Sequence, residues 1–216
     1  LNSVMSLKES GIVEPKDLAG KKVGAPGLPS DESLLDTMLR NQGLTLDDVE
    51  MVNVGFDLVP ALISKQVDAV VGAYWVHESI SATNQGFELN IMRMEQNGVP
   101  DFYELVIVAN EDKIAQDPDL VQRFVRGVTR GYKDAIADPQ DAVQLLKRLK
   151  PEVDLAIEIP GVALLAPLWA TDNGVFGWQE EARWRDFAKW LVDGGRLSAS
   201  TDPMAAFDNS FVANNQ

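Results

Sequence analysis

Val67-Asp68-Ala69-Val70-Val71-Gly72-Ala73-Tyr74-Trp75-Val76-His77-Glu78 is the stretch on which the reading of this chain turns. Its first six residues are a nearly continuous apolar run, the pattern of a strand buried on both faces rather than one with a wet face. Such strands belong to parallel sheets sandwiched between helices. Two aromatics, the single histidine of the chain and a carboxylate follow directly. In an open α/β sheet the carboxyl ends of the strands face the ligand crevice, so chemistry placed just after the most buried strand is placed where ligands bind.

Upstream, the pattern repeats. Lys22-Val23-Gly24-Ala25 reads as a short strand broken at Pro26-Gly27. Ser30 is placed to cap a helix whose first turn carries Asp31 and Glu32, where acids suit the helix dipole. Leu34, Leu35, Met38 and Leu39 form one helical face, and Gly43 is placed to end it. Residues 49–54 give another strand, and Asp57 is placed to cap a short helix carrying Leu58, Ala61, Leu62 and Ile63. Three strands joined by helical connections favour right-handed crossovers and a parallel sheet. The class is α/β.

Residues 87–94 alternate partly in polarity, and residues 105–109 read as a further strand after the Gly98-Val99-Pro100 break. Beyond them the pattern is helical. Asp117-Pro118, Asp138-Pro139 and Asp202-Pro203 each offer an N-cap followed by proline at the first helical position. The first of these helices would bury Leu120, Val121, Phe124, Val128 and Tyr132, and the second Ala142, Val143, Leu145, Leu146 and Leu149. A last helix, residues 179–192, carries Trp184, Phe187, Trp190 and Leu191. These tryptophans and Trp169 and Trp178 read as packing residues.

Composition narrows the chemistry. The 216 residues hold 45% apolar and 24% charged side chains, a globular balance. A net charge of −14 argues against nucleic acid as a partner, because phosphate contacts need clustered Lys and Arg. Zero cysteines exclude disulfides, thiolate metal sites and a cysteine nucleophile, and one histidine excludes multi-histidine metal sites. No catalytic residue, metal or cofactor is assigned. No apolar run reaches the ~20 residues that a membrane helix needs.

Three segments are candidate ligand contacts. Gly24-Ala25-Pro26-Gly27-Leu28-Pro29-Ser30-Asp31 joins a strand end to a helix start, where backbone N–H groups favour an anion or a carbonyl oxygen; Pro26, Gly27, Ser30 and Asp31 are its candidates, and a plain turn is the alternative. It has neither the P-loop lysine nor the dinucleotide glycine spacing. Tyr74 and Trp75 could stack on a planar ring while Glu78 accepts hydrogen bonds from a ring N–H or an exocyclic amine; alternatively Trp75 is core and Glu78 a surface cap. Tyr103, in Gly98-Val99-Pro100-Asp101-Phe102-Tyr103-Glu104, either reaches the cleft or is a buried tyrosine beside a turn. Phe56-Asp57 repeats the positional logic at a strand end, with Asp57 favoured as a cap.

As an ordered set, Ser10-Gly11-Ile12, Asp17-Leu18-Ala19-Gly20-Lys21-Lys22-Val23-Gly24, the Pro-Gly-x-Pro-Ser-Asp-Glu loop, Val67-Asp68-Ala69-Val70, Gly98-Val99-Pro100-Asp101, Gly174-Val175-Phe176-Gly177-Trp178 and residues 207–211 resemble the thiamine-pyrimidine substrate-binding family, which is related to fungal pyrimidine synthases. The resemblance implies a type II periplasmic-binding fold of two lobes with parallel-rich sheets. Residues 1–15 would be a crossover tail, 16–100 lobe two, and 101–216 the return to lobe one with a helical flank, the opening part of lobe one being absent. It implies that residues 26–31 face ligand or phosphate and that Glu78 contacts a pyrimidine. The function implied is capture of a small planar heterocycle of the formylaminopyrimidine or hydroxymethylpyrimidine type for an ABC transporter permease. Its place would be the periplasm or the outer face of the membrane, as a lipoprotein or secreted protein, and the absent segment would allow oligomers or swapping. Riboflavin-type binding and synthase activity are the alternatives, but the fungal enzymes use a cysteine-rich segment, and this chain has none. A regulator's effector domain would need a DNA-binding helix pair upstream.

Overall fold

The computed structural model describes residues 1–169 and 174–213. The chain forms two compact units: Leu1–Val99 together with Ala156–Gly161, and Pro100–Leu155 together with the chain after Gly161.

The first unit is a five-stranded sheet with helices packed on it. In chain order its elements are β1 (Asn2–Leu7), β2 (Lys22–Ala25), α1 (Pro29–Arg40), β3 (Glu50–Asn53), α2 (Leu58–Ile63), β4 (Ala69–Tyr74), α3 (Glu78–Asn84) and β5 (Leu89–Arg93). The sheet order is β3-β2-β4-β1-β5. β2 runs parallel to both β3 and β4, with Val23 opposite Met51 on one side and Ala69 on the other. These are the three strands joined by helices that the apolar runs predict.

β1 and β5 are antiparallel additions, and β1 was legible only as connecting chain. It lies between β4 and β5, buried along its whole length, with Asn2 opposite Tyr74 and Met5 opposite Val70 and Ile91. Its alternation is invisible in Asn-Ser-Val-Met-Ser-Leu because two serines occupy buried positions. Ser3 Oγ donates to the Ala73 carbonyl at 2.7 Å and Ser6 Oγ to the Ile12 carbonyl at 2.7 Å, which removes the desolvation cost of each hydroxyl.

The β1–β4 register slips once, between Ser3 opposite Ala73 and Val4 opposite Val71. Gly72 is the extra residue of this bulge and takes φ +92, a conformation that disfavours any side chain. Space is tight as well: a Cβ here would stand 3.1 Å from the Pro26 ring and 3.2 Å from Asp31 Oδ2, so the neighbours would have to give by a few tenths of an ångström.

The core of the unit follows the predicted stripes. Leu34, Leu35, Met38 and Leu39 of α1 and Leu58, Ala61 and Leu62 of α2 are buried, the α2 residues in one cluster with Met5 and Val70 of the sheet. Ser30 does not cap α1. The helix begins one residue earlier with Pro29, and Leu28, which has no capping side chain, precedes it. Asp57 stands at the N-cap of α2, but its side chain makes no capping bond.

The regular elements of the second unit, among its described residues, are all helical: α4 (Glu111–Gln116), α5 (Pro118–Ala137), α6 (Pro139–Leu149), the flanks of α7 (Leu155–Leu165), α8 (Glu181–Asp193) and α9 (Ser210–Ala213). The Asp-Pro starts are realised. Asp117, Asp138 and Asp202 accept from the backbone N–H of Leu120, Asp141 and Met204 at 3.1, 3.0 and 2.9 Å. Two expectations fail here. Residues 105–109 form no strand, and Leu105 and Val108 are 73% and 84% exposed. The apolar stripes of α5 and α6 are largely uncovered: Phe124 and Leu149 are 56% and 75% exposed, and only Thr129 and Val143 are buried. Periodicity marks a face as apolar without supplying what lies beneath it. The tryptophans do pack, with Trp184 stacked on Phe207 at 5.6 Å and Phe187 between Phe102 and Trp190 at 4.6 and 5.3 Å.

Gly72→Ala is expected to destabilise the protein by about 2 kcal/mol or more, from the left-handed backbone plus contact with Pro26. Gly43→Ala, at φ 77 with nothing within 4 Å, is the control and should cost only the backbone part, about 1 kcal/mol. Urea unfolding of the two variants checks the difference; equal losses would mean that the Pro26 contact carries nothing.

Candidate functional site

Parallel pairing puts the carboxyl ends of β2, β3 and β4 at one end of the sheet, and the antiparallel β1 brings its own amino end there. Four chain segments therefore meet. The β2–α1 loop, residues 26–31, lies over the β4 bulge, with Pro26 and Asp31 both against Gly72. Asp31 is buried, 5% exposed, and its Oδ1 accepts from Asn2 Nδ2 at 3.1 Å. On the other side Gly27 rests on Asn53 at the end of β3, so closely that a Cβ would lie 2.6 Å from the Asn53 amide nitrogen. Gly27 and Ser30 are exposed, and Pro26 is half-buried.

At the end of β4 the chain turns into α3, and Glu78 folds back over that turn. Its Oε2 accepts the Tyr74 backbone N–H at 2.8 Å, and its Oε1 is 3.2 Å from His77 Nδ1. The other ring nitrogen of His77 faces Glu158 Oε1 at 3.6 Å. Burial pushes the Glu78 carboxyl up, but the His77 bond and the Tyr74 N–H together outweigh it and hold the group below the usual carboxylate range. His77 is raised, chiefly by its hydrogen bond to Glu78, against partial burial and with help from both carboxylates. Each Glu78 oxygen thus has a protein partner, and the backbone N–H of Glu78 itself adds to the depression.

Tyr74 and Trp75 are both half-buried, but Trp75 is engaged elsewhere. Its ring packs on the Met5, Leu7 and Leu62 cluster and carries the Arg93 guanidinium 3.7 Å from its centroid. Tyr103 lies in the second unit. Its Oη accepts the Glu180 N–H at 2.7 Å, and its ring meets Arg183 at 4.6 Å and Trp184 at 6.1 Å. The structure thus gathers Pro26, Gly27, Asp31, Tyr74 and Glu78 at one sheet end, leaves Ser30 on the exposed first turn of α1, turns Trp75 toward the core and holds Tyr103 within the other unit.

Asn2, Asn53 and Glu158 also belong to this region, and nothing near Asn2 or Glu158 in sequence announces it. Asn2 depends on the unrecognised β1. Asn53 is the last residue of β3, a position the crevice rule could have flagged. Glu158 arrives from the Ala156–Gly161 stretch, fixed to α3 by Asn84 Nδ2 donating to the Ala156 carbonyl at 3.0 Å and by Gly161, where a Cβ would stand 2.7 Å from the Val76 carbonyl oxygen. Among the described residues no group of acidic or histidine side chains is arranged to hold a metal.

A mixed sheet whose parallel strands finish together at one end is the fold of the type II periplasmic binding proteins. The periplasmic sulfonate-binding protein SsuA of Methylobacillus flagellatus superposes with a TM-score of 0.63 at 19% identity, over 99% of this chain and 64% of that one. Residues 1–142 match the NMT1/THI5-like family, and the chain belongs to it. Among its relatives, the formylaminopyrimidine-binding protein of Halalkalibacterium halodurans is 31% identical over 88% of this chain, and a 4-amino-5-hydroxymethyl-2-methylpyrimidine phosphate synthase of Aspergillus parasiticus is 28% identical over 90%. The chain spans 59% and 57% of their lengths.

The opposed shifts set a pH window. The contribution of His77 is fully present below its unfolded pKa of about 6.5 and is lost as pH rises through its raised folded value; that of Glu78 is present above about 4.3 and lost as pH falls through its depressed one. His77→Gln should therefore lower the urea midpoint most between about pH 4.5 and 6.5, by an amount kept small by solvent at this half-exposed pair, and least in alkali. A loss that is flat from acid to alkali would contradict the ion pair.

Proposed function

We propose that the protein is the solute-binding component of an ABC importer and captures a small planar heterocycle, foremost a thiamine pyrimidine precursor of the formylaminopyrimidine or hydroxymethylpyrimidine type. The observation that carries the reading is the convergence of the residue 26–31 loop and the Tyr74–Glu78 turn at the carboxyl end of one sheet, tied together by the side-chain-free contact at Gly72. Backbone N–H groups of the loop can donate to the ring nitrogens of an aminopyrimidine, and the depressed carboxylate of Glu78 can accept from its exocyclic amine. The similarity to the formylaminopyrimidine-binding protein supports the same ligand class.

In this reading the unit of residues 1–99 with 156–161 is one lobe, Pro26, Gly27, Asp31, Tyr74 and Glu78 contribute to ligand capture, and the partner is a permease at the outer face of the membrane. The synthase reading has a relative in its favour, the Aspergillus enzyme. Against it stand the absence of cysteine and a single histidine whose two nitrogens both face carboxylates.

Isothermal titration of the purified protein with formylaminopyrimidine, hydroxymethylpyrimidine, thiamine and riboflavin tests this. A pyrimidine precursor is expected to bind tightest, and Glu78→Ala to weaken it about 10- to 100-fold, the cost of an unmet charge-assisted hydrogen bond. Glu78→Gln, which keeps an acceptor for the Tyr74 N–H, separates ligand contact from damage to the turn. No heat with any of the four would remove the proposal.

A further inference from the structure

The aromatic surface of the first unit is distributed unevenly. Residues 1–99 contain four aromatic side chains, Phe56, Tyr74, Trp75 and Phe87. Trp75 and Phe87 pack against the buried cluster, Trp75 with Arg93 over its ring, and Tyr74 is half-buried. Phe56 alone is exposed, at 82%.

A lone exposed apolar residue is ordinary on a protein surface, so position has to decide. Phe56 follows β3 at the sheet end where the other candidate segments meet, on a loop that is built rather than loose. Gly55, at φ +57, donates its N–H to Asn53 Oδ1 at 3.0 Å, the Val54 N–H is bonded to the Ala25 carbonyl at 3.0 Å, and the Asp57 N–H returns to the Val54 carbonyl at 3.3 Å. Asn53 also abuts Gly27 of the residue 26–31 loop. The phenyl ring is thus carried on a backbone locked to the neighbouring strand end, its faces in water. Leu28, 45% exposed on that neighbouring loop, adds apolar surface to the same end. A fixed aromatic in water costs little further ordering when a flat ring covers it, which makes it an efficient stacking platform.

Resting on the ligand class proposed above, we propose that Phe56 is the residue of this unit that stacks on the heterocycle, the role that sequence order alone gives to Tyr74 and Trp75. The chemistry recognised is a planar π-system of pyrimidine size or larger, with Glu78 reading its polar edge.

Titration of hydroxymethylpyrimidine and formylaminopyrimidine into the wild type and into Phe56→Ala, Phe56→Leu and Phe56→Tyr, with a thermal melt of each, tests the assignment. Phe56→Ala should bind about 5- to 100-fold more weakly with an unchanged melt, as expected for loss of one stacking face at an exposed position. Phe56→Tyr should bind like the wild type, and Phe56→Leu should stay weak because it restores area but no ring. Wild-type binding with an unaffected Phe56→Ala overturns the stacking role and leaves the solute-binding reading intact; recovery in Phe56→Leu reduces Phe56 to apolar cover and also overturns it. A wild type that binds neither pyrimidine removes the ligand class, and this assignment with it.

Discussion

The bulge at Gly72 is the constraint on which the end of the sheet where the β2, β3 and β4 strands finish depends. One extra residue in β4, opposite the step from Ser3 to Val4, lets the strand continue pairing with β1 while its last two residues shift register. The bulged position is filled by backbone alone, and Pro26 and Asp31 occupy the volume a side chain would take. That close approach seats the loop after β2 on the bulge, with Asn2 bonded to Asp31 beside it. Bulges beside binding sites commonly re-aim side chains in this way.

Much of the first unit was legible because its signals are redundant. The runs at residues 22–25, 49–54 and 67–72 are apolar, short and separated by helical stripes, so both period and spacing point to parallel strands. β1 escaped because its buried faces include Asn2, Ser3 and Ser6, whose suitability for burial depends on partners 6 to 70 residues away. The parallel core was a property of local pattern; the antiparallel strand that aligns the site was a property of contacts.

The same distinction runs through the site. Position after a buried strand located Tyr74, Trp75 and Glu78, but periodicity is silent on where a ring turns, and Trp75 is drawn to Arg93 and the core. Asp57 was favoured as a cap on type and place, yet its side chain does not bond the helix it precedes. In the second unit, aspartate before proline marked helix starts correctly because capping is a three-residue affair. The apolar run at residues 105–109 was misread because a strand exists only with a neighbour, and among the described residues it has none.

The short Ala156–Gly161 stretch makes the first unit discontinuous in sequence. Anyone excising a minimal domain for expression would naturally stop at Val99, just before the helical half begins. Such a cut would strip α3 of the carbonyl that Asn84 binds, leave His77 with one carboxylate instead of two, and open the surface over Val76 where Gly161 now sits. A workable boundary must therefore either graft those six residues back, through a linker from Val99, or keep the intervening chain.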